Sequence, residues 1–304
     1  MIQSLNRKFF ILLSNNKWIE QGAKSWGLKL GASKVVAGMD IESAVNIIQN
    51  LNDSGRKVTL DHLGEFVYKA DEAIRAFEDS MHTLDMIHQN ALSSTLSVKL
   101  TKLGLDVDKN LCWKQISELA QHAASYNNKI NIDMEDYVHY KDVLDIVEQL
   151  HHEYGNVSTV LQSYLHCGLE DVKRLKNIPL RIVKGAYKED ASVAYQDKKM
   201  IDENYMEMVR QNLLYGTFTS IATHDHHIIN EIKEFVERNG IDKSQFEFQM
   251  LYGFRNDVQL SLVKEGYQFR TYVPFGNEWY GYYMRRLAER PQNVLFAIRG
   301  MLSK

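Results

Sequence analysis

Eight short runs rich in β-branched and apolar residues recur along this chain. They are "KVTLDHLG" (57–64), "STLSVKLT" (94–101), "KINIDM" (129–134), "VSTVLQSYL" (157–165), "PLRIVKGAY" (179–187), "FTSIATHD" (218–225), "FEFQML" (246–251) and "YQFRTYVPFG" (267–276). Between them lie stretches of helical periodicity, among them 69–92, 113–127, 140–155 and 230–240. Strict alternation of strand and helix argues for a parallel sheet, and eight repeats argue for its closure into a barrel. The crossover between Tyr187 and Phe218 is long and strongly helical, and residues 1 to about 52 read as added helices ahead of the first strand. The expected organisation is a single α/β domain over 1–304. A helical extension spans 1–55, a (βα)8 barrel of the TIM type 56–292, and a tail 293–304.

Composition narrows the class of function. With 44% hydrophobic residues, 25% charged and 3 prolines, the chain has the material for an ordinary soluble core and no Pro-rich or Gly/Ser-rich linker. A formal net charge of -3, with both signs mixed along the chain, offers no basic field and excludes nucleic-acid binding. The run "FFILL" at 9–13 follows Arg7 and Lys8 but is too short for a signal peptide, so it reads as the face of a starting helix. Cys112 and Cys167 fit neither a disulfide framework nor a zinc motif, and a reducing cytoplasm suits them.

Strands buried on both faces should read as continuous apolar runs. These do, except for polar intrusions assigned to their C-terminal ends: Lys99, Asp133, Gln162, Arg181, Lys184, His224, Arg270 and Tyr272. Such groups are costly in a dry core, and the C-terminal mouth of a barrel is where active-site groups sit. The stretch "YYMRRLAER" (282–290) adds a second anomaly. In a helix, Tyr282, Arg285, Arg286 and Glu289 form one stripe at the spacing of a docking face, while Tyr280, Tyr283, Met284 and Leu287 form an apolar stripe that packs it down. Asn277 offers an N-cap for this helix and Pro291 a stop. Lys99, Arg181, Lys184, Arg285 and Arg286 outnumber Asp133 and Glu289, and that positive excess implies a bound anion.

Several chemistries compete at such a mouth. His224 and His226 in "THDHH" invite a metallohydrolase reading, although the further ligands such a site needs are not evident. Lys184 in "IVKGAY" could form a Schiff base as a barrel lyase does. A barrel that binds an amino acid without catalysis is a third reading. No G-x-G-x-x-G follows a strand, so a dinucleotide would have to be held by the barrel itself.

"RTYVPFG" followed by "YYMRRLAER" resembles the closing signature of proline dehydrogenases, flavoenzymes that oxidise L-proline to Δ1-pyrroline-5-carboxylate. The resemblance extends in order through "SVKLTKLG", "INIDMED", "VLQSYL", "LRIVKGAY" and "ATHD", covering roughly residues 56 to 292. It implies a distorted barrel carrying FAD, with the eighth helix over the mouth. It implies that Lys99, Arg285 and Arg286 bind the proline carboxylate, that Tyr272 and Tyr282 wall the ring, and that Tyr187 lines the same pocket. Asp133 matches the catalytic aspartate and Arg181 a group at the reactive edge of the flavin. Met134, Gln162, Lys184, Gly185, Ala186, Thr223 and His224 match flavin-contacting positions, and Glu289 braces the helix stripe and cofactor. No metal is implied.

The resemblance carries further expectations. In the related hydroxyproline enzymes a smaller residue stands at the position of Tyr282, so tyrosine here favours proline. The chain ends at Lys304 just after the signature, which implies a monofunctional enzyme and a separate glutamate-semialdehyde dehydrogenase downstream. The family passes electrons to membrane quinone, which implies a cytoplasmic protein peripheral to the inner face of the membrane. Guanidiniums suit the carboxylate because they hold it bidentately and so fix the ring, and a positive pocket lowers the pKa of the substrate amine without a dedicated strong base.

Overall fold

The computed structural model describes residues 32–289 of the 304. Eight strands, β1 (Lys57–His62), β2 (Ser94–Val98), β3 (Ile130–Ile132), β4 (Val157–Gln162), β5 (Leu180–Val183), β6 (Thr219–Ala222), β7 (Phe246–Leu251) and β8 (Phe269–Phe275), pair in sequence order, all parallel. β8 pairs back on β1, with Val58 opposite Thr271 and Leu60 opposite Val273, so the barrel is closed. Helix α1 (Ile41–Asp53) precedes the barrel. α2 (Ala70–Gln89), α3 (Lys109–Ser125), α4 (Tyr137–Tyr154), α5 (Gly168–Arg174), α6 (Lys198–Tyr215), α7 (His226–Arg238) and α8 (Asn256–Lys264) each follow a strand, and α9 (Trp279–Glu289) follows β8. This is the (βα)8 barrel expected from the alternation.

The strands alternate more sharply than expected. In β7, Phe246, Phe248 and Met250 are at most 2% exposed among the core residues, while Glu247 and Gln249, on the opposite face, line the interior. Thr95 and Ser97 alternate in the same way with Leu96 and Val98 on β2. Polar residues therefore occupy the inner face from the floor upward, and are not confined to C-terminal ends. Arg270 corrects the expectation most clearly. It is the second residue of β8, at the floor, where its Nε donates to Glu247 Oε1 at 2.7 Å and its Nη1 to the Val58 carbonyl at 2.8 Å. A guanidinium persists there because a carboxylate on the adjacent strand neutralises it.

Aspartates begin the helices around the mouth. Asp108, Asp136, Asp197 and Asp225 are the N-caps of α3, α4, α6 and α7, each accepting first-turn N–H groups that have no helical partner. Such a cap contributes about 1 kcal/mol. α1 is capped by Asp40 and packs Ile41, Ala44, Ile48 and Leu51 inward, in contact with β1 and β8. It thus covers the seam where the barrel closes, a place that a helix returning from β8 would otherwise fill.

α9 instead packs through a separate apolar cluster. Trp279, Tyr280, Tyr282, Tyr283 and Met284 bury together with Ala32, Val36 and Leu63. The segment ahead of α1 is tied to the end of β8, Ala37 N donating to the Pro274 carbonyl and Gly276 N to the Gly38 carbonyl, each at 2.9 Å. Gly276 turns the chain from β8 to α9 at φ +116, and a Cβ there would lie 2.6 Å from His62. The helix begins at Trp279, so Glu278 precedes it and Asn277 is one residue too early to be its cap. The starting helix at 9–13, the stop at Pro291 and the tail 293–304 lie outside the described residues.

Candidate active site

Asp133 stands immediately after β3, its N–H donating to the Val98 carbonyl at 2.8 Å, so the carboxylate is fixed at the mouth between β2 and its neighbours. Oδ1 accepts from Ser97 Oγ at 2.6 Å, Asn131 Nδ2 at 2.9 Å and Arg181 Nη1 at 2.9 Å. Oδ2 accepts from the Tyr272 hydroxyl at 2.7 Å and lies 3.6 Å from Lys99 Nζ. Side chains from four strands and the turn after β2 therefore converge on one buried carboxylate. Arg181 also lies over the Tyr272 ring, 5.2 Å from its centroid.

Lys99 is shared between two carboxylates, with Asp61 Oδ1 at 2.8 Å. Burial works against its charge, but Asp61 and Asp133 outweigh burial and hold its pKa above the ordinary lysine value. Asp61 responds in kind: burial opposes its ionisation, yet Lys99 and then Lys102 hold its carboxyl below the usual range. The Tyr272 hydroxyl is pushed well up by burial and by the carboxylates of Asp133 and Asp61, so it stays a neutral donor. Behind Asp133, burial pushes Glu135 up to about 7, although the N–H and hydroxyl of Thr101 both donate to it.

The opposite wall is built from β4, β5 and β6. Gln162 donates its Nε2 to the Glu135 carbonyl at 3.1 Å, and its Oε1 is left buried without a partner among the described residues. Arg181 Nε is likewise buried and has no partner among the described residues. Gly185 has φ +105, and a Cβ there would fall 2.2 Å from the ring of Tyr164, so the turn after β5 admits no larger residue. Thr223 Oγ1 accepts from Asp225 N at 3.1 Å, and His224 Nε2 accepts from Leu251 N at 3.1 Å.

These groups surround one cavity of about 800 Å³. Lys99, Tyr187 and Tyr272 line it, with Asp133 and Arg181. So do Met134, Gln162, Lys184, Gly185, Ala186, Thr223 and His224. Tyr282 is not on that wall but in the apolar cluster under α9, because this helix begins with aromatics on every side and the segment from Ala32 wraps them. The side chains of Arg285, Arg286, Leu287 and Glu289 lie outside the described residues. Among the described residues no group of three or more His, Cys, Asp or Glu is placed to hold a metal ion. Lys184 is engaged by Asp202 at 2.5 Å and Asp225 at 3.8 Å, which anchors its side chain to α6 and to the start of α7.

Sequence reasoning missed Asp61, Asp202 and Asp225, which counter the cations it had counted as an excess. Asp61 carried a readable signal, a lone acid inside an apolar strand. Asp202 did not, since it arrives from α6 and no spacing links it to Lys184. Gln249 and Arg255 also line the cavity.

The family described as Proline dehydrogenase matches residues 44–298 of this chain. Proline dehydrogenase 2 of Bacillus subtilis (strain 168) is 44% identical over 302 residues, covering 99% of this chain and 100% of its own length. The proline dehydrogenase of Deinococcus radiodurans is 40% identical over 311 residues, covering 99% of each chain. Among solved structures, proline utilization A of Bdellovibrio bacteriovorus inactivated by N-propargylglycine superposes on 85% of this chain with a TM-score of 0.79 at 23% identity. That likeness bears on the barrel, and this chain spans 32% of that longer protein.

Proposed function

Because this chain belongs to the proline dehydrogenase family, we propose that it oxidises L-proline to Δ1-pyrroline-5-carboxylate with FAD as hydride acceptor, passing the electrons on to a membrane quinone. The observation that carries the reading is the convergence of Lys99, Asp133, Arg181, Tyr272 and Gln162 on one cavity. Its residues fit a flavin: Gln162 Oε1 and Arg181 Nε are a buried acceptor and a buried donor with no partner among the described residues, and a cavity of about 800 Å³ is of cofactor size.

Bound FAD supplies a two-electron acceptor that the twenty side chains lack. Met134, Gln162, Arg181, Lys184, Gly185, Ala186, Thr223 and His224 would hold it, with Glu289 bracing the last helix. Gln162 cannot turn its amide without breaking the bond to the Glu135 carbonyl, so its oxygen stays available to an N–H of the ring. Lys99, Arg285 and Arg286 would grip the substrate carboxylate, and Tyr187 and Tyr272 would wall the ring and exclude water, with Tyr282 joining them as α9 closes over the bound ligand. The secondary amine must lose its proton before hydride leaves, and the cations beside it lower its pKa. Asp133 acts through the groups it fixes: it holds Arg181, Tyr272 and Lys99 in one arrangement.

Oxidation of the open-chain semialdehyde would require an activated thiol or an equivalent nucleophile. Burial pushes the Cys112 thiol up to about 12 and raises that of Cys167, and neither lines the cavity. A separate pyrroline-5-carboxylate or glutamate-semialdehyde dehydrogenase is proposed for that step. A cytoplasmic location, peripheral at the inner face of the membrane, goes with a lipid-soluble acceptor. Among the described residues no helix is long and apolar enough to cross a membrane.

The test is the visible spectrum of the purified protein. Flavin absorbance that bleaches on addition of L-proline supports the reading, and a colourless protein ends it. A flavinated protein unmoved by any amino acid would favour a binding barrel. Arg285→Met should raise the KM for proline with flavin retained.

A further inference from the structure

Below the cavity, at the barrel floor, lies a second polar space of about 160 Å³. Arg181 and Gln249 line both spaces, so they form the partition between them. Gln249 is 4% exposed and sits on β7 beside Ala222 of β6, and both line the cavity with Arg181 of β5. Its Nε2 donates to Glu247 Oε1 at 2.7 Å. The same oxygen accepts from Arg270 Nε at 2.7 Å and Ser220 Oγ at 3.1 Å. Burial opposes charge on Glu247, but Arg270 and the hydrogen bonds from Gln249 and Ser220 hold its carboxyl below the usual range.

An ionised carboxylate accepts and never donates, so the NH2 of Gln249 must face Glu247 whichever way the amide is drawn. Its Oε1 is then turned away from Glu247, on a side chain that lines the cavity above. We propose that Glu247 and Gln249 are a positioning pair for the reaction: the Glu247–Arg270 lock at the floor fixes the Gln249 amide so that its oxygen is an acceptor for an N–H of the bound ligand. Arg181, whose Nε has no partner among the described residues, lines the same cavity, so a donor and an acceptor are offered to one bound ligand. The chemistry it reads is an N–H, supplied either by the imide of the flavin ring or by the ring nitrogen of proline. The inference rests on the proposed function.

The test uses the flavin-loaded full chain and Gln249→Met, which removes the acceptor and keeps the lock. Three readouts are compared with the parent: the flavin spectrum and midpoint potential without substrate, the affinity for proline, and the affinity for tetrahydrofuran-2-carboxylate, which carries a ring oxygen in place of N–H. If the proline nitrogen is the donor, proline weakens about tenfold while the oxygen analogue is unchanged. If the flavin imide is the donor, the potential and spectrum shift and both affinities hold. A folded Gln249→Met with all three readouts unchanged overturns the pairing. Should Gln249→Met not fold, Glu247→Gln, which frees the amide to turn, is read in the same assays, and unchanged readouts there overturn it equally. Failure of the parent to bleach with proline would sink the proposed function instead, so the two failures are distinct.

Discussion

Asp133→Asn tests how much of the site depends on a single charge. The amide is isosteric, so the cost comes from charge and hydrogen bonding alone. Placing the new NH2 at the Oδ1 position aims it at Asn131 and Arg181, both obligate donors there, and only the Ser97 hydroxyl can turn to accept. Placing it at Oδ2 is less bad, because the Tyr272 hydroxyl can turn, but it then faces the Lys99 ammonium. In either arrangement Arg181, 6% exposed, loses its counter-charge. Breaking a buried ion pair from one side costs about 3–5 kcal/mol, and since Lys99 keeps Asp61 the lower figure applies here. If the same loss is felt as the substrate reacts, about 3 kcal/mol is roughly a hundredfold in rate. The assay is anaerobic stopped-flow bleaching of flavin by L-proline, beside urea unfolding of the same sample. A bleaching rate within threefold of the parent, or a stability within about 1 kcal/mol of it, would refute the view that this carboxylate organises the site.

Glu135 gives a prediction of opposite sign. Its folded pKa of about 7 lies above the ordinary value of 4.5, so the stability linked to it is fully present below about pH 4.5 and is lost as pH rises through 7. Glu135→Gln should therefore raise stability at pH 8.5, by up to about 3 kcal/mol, and not at pH 4; equal urea midpoints of the two proteins at pH 8.5 would count against it. Gly276→Ala should lower stability by about 1–3 kcal/mol through strain at φ +116 and crowding on His62, measured by thermal unfolding; an unchanged midpoint contradicts the geometry. Tyr282→Ser should cost about 3–5 kcal/mol by emptying part of the α9 cluster, and raise activity on trans-4-hydroxyproline relative to proline; an unchanged ratio of the two activities sinks the specificity argument.

The barrel was legible because alternation of strand and helix is a long-range pattern that survives errors at every boundary. Each of the eight runs contains a strand, and the mouth residues from Lys99 to His224 share one cavity. What failed was the assumption that barrel strands are apolar on both faces. In "FEFQML" the alternation of Phe246, Glu247, Phe248 and Gln249 is plain in the letters, but a run with so much apolar mass reads as wholly buried. That misreading also carried Arg270 to the mouth, since a lone arginine in a strand does not say which end of the barrel its partner occupies. Asp202 illustrates a different limit: a contact between α6 and the turn after β5 is set by how the enlarged crossover folds back, which no periodicity records.

The helix that covers the barrel seam has a consequence for how the chain is made. α1 leaves the ribosome before any strand, yet its seat is formed by β1 and β8, and β1 itself cannot complete its pairing until Phe275 has been synthesised. Until β8 is made, Ile41, Ile48 and Leu51 have β1 and α2 to rest on but only part of their seat, so some of the apolar stripe stays open to other nascent chains. Closure of the seam joins an early-made element to a late one, which makes it a step of high contact order and a slow one. Moving α1 to follow α9 in a circular permutant would make it the last element synthesised, after its seat, and should increase the yield of folded chain at high expression.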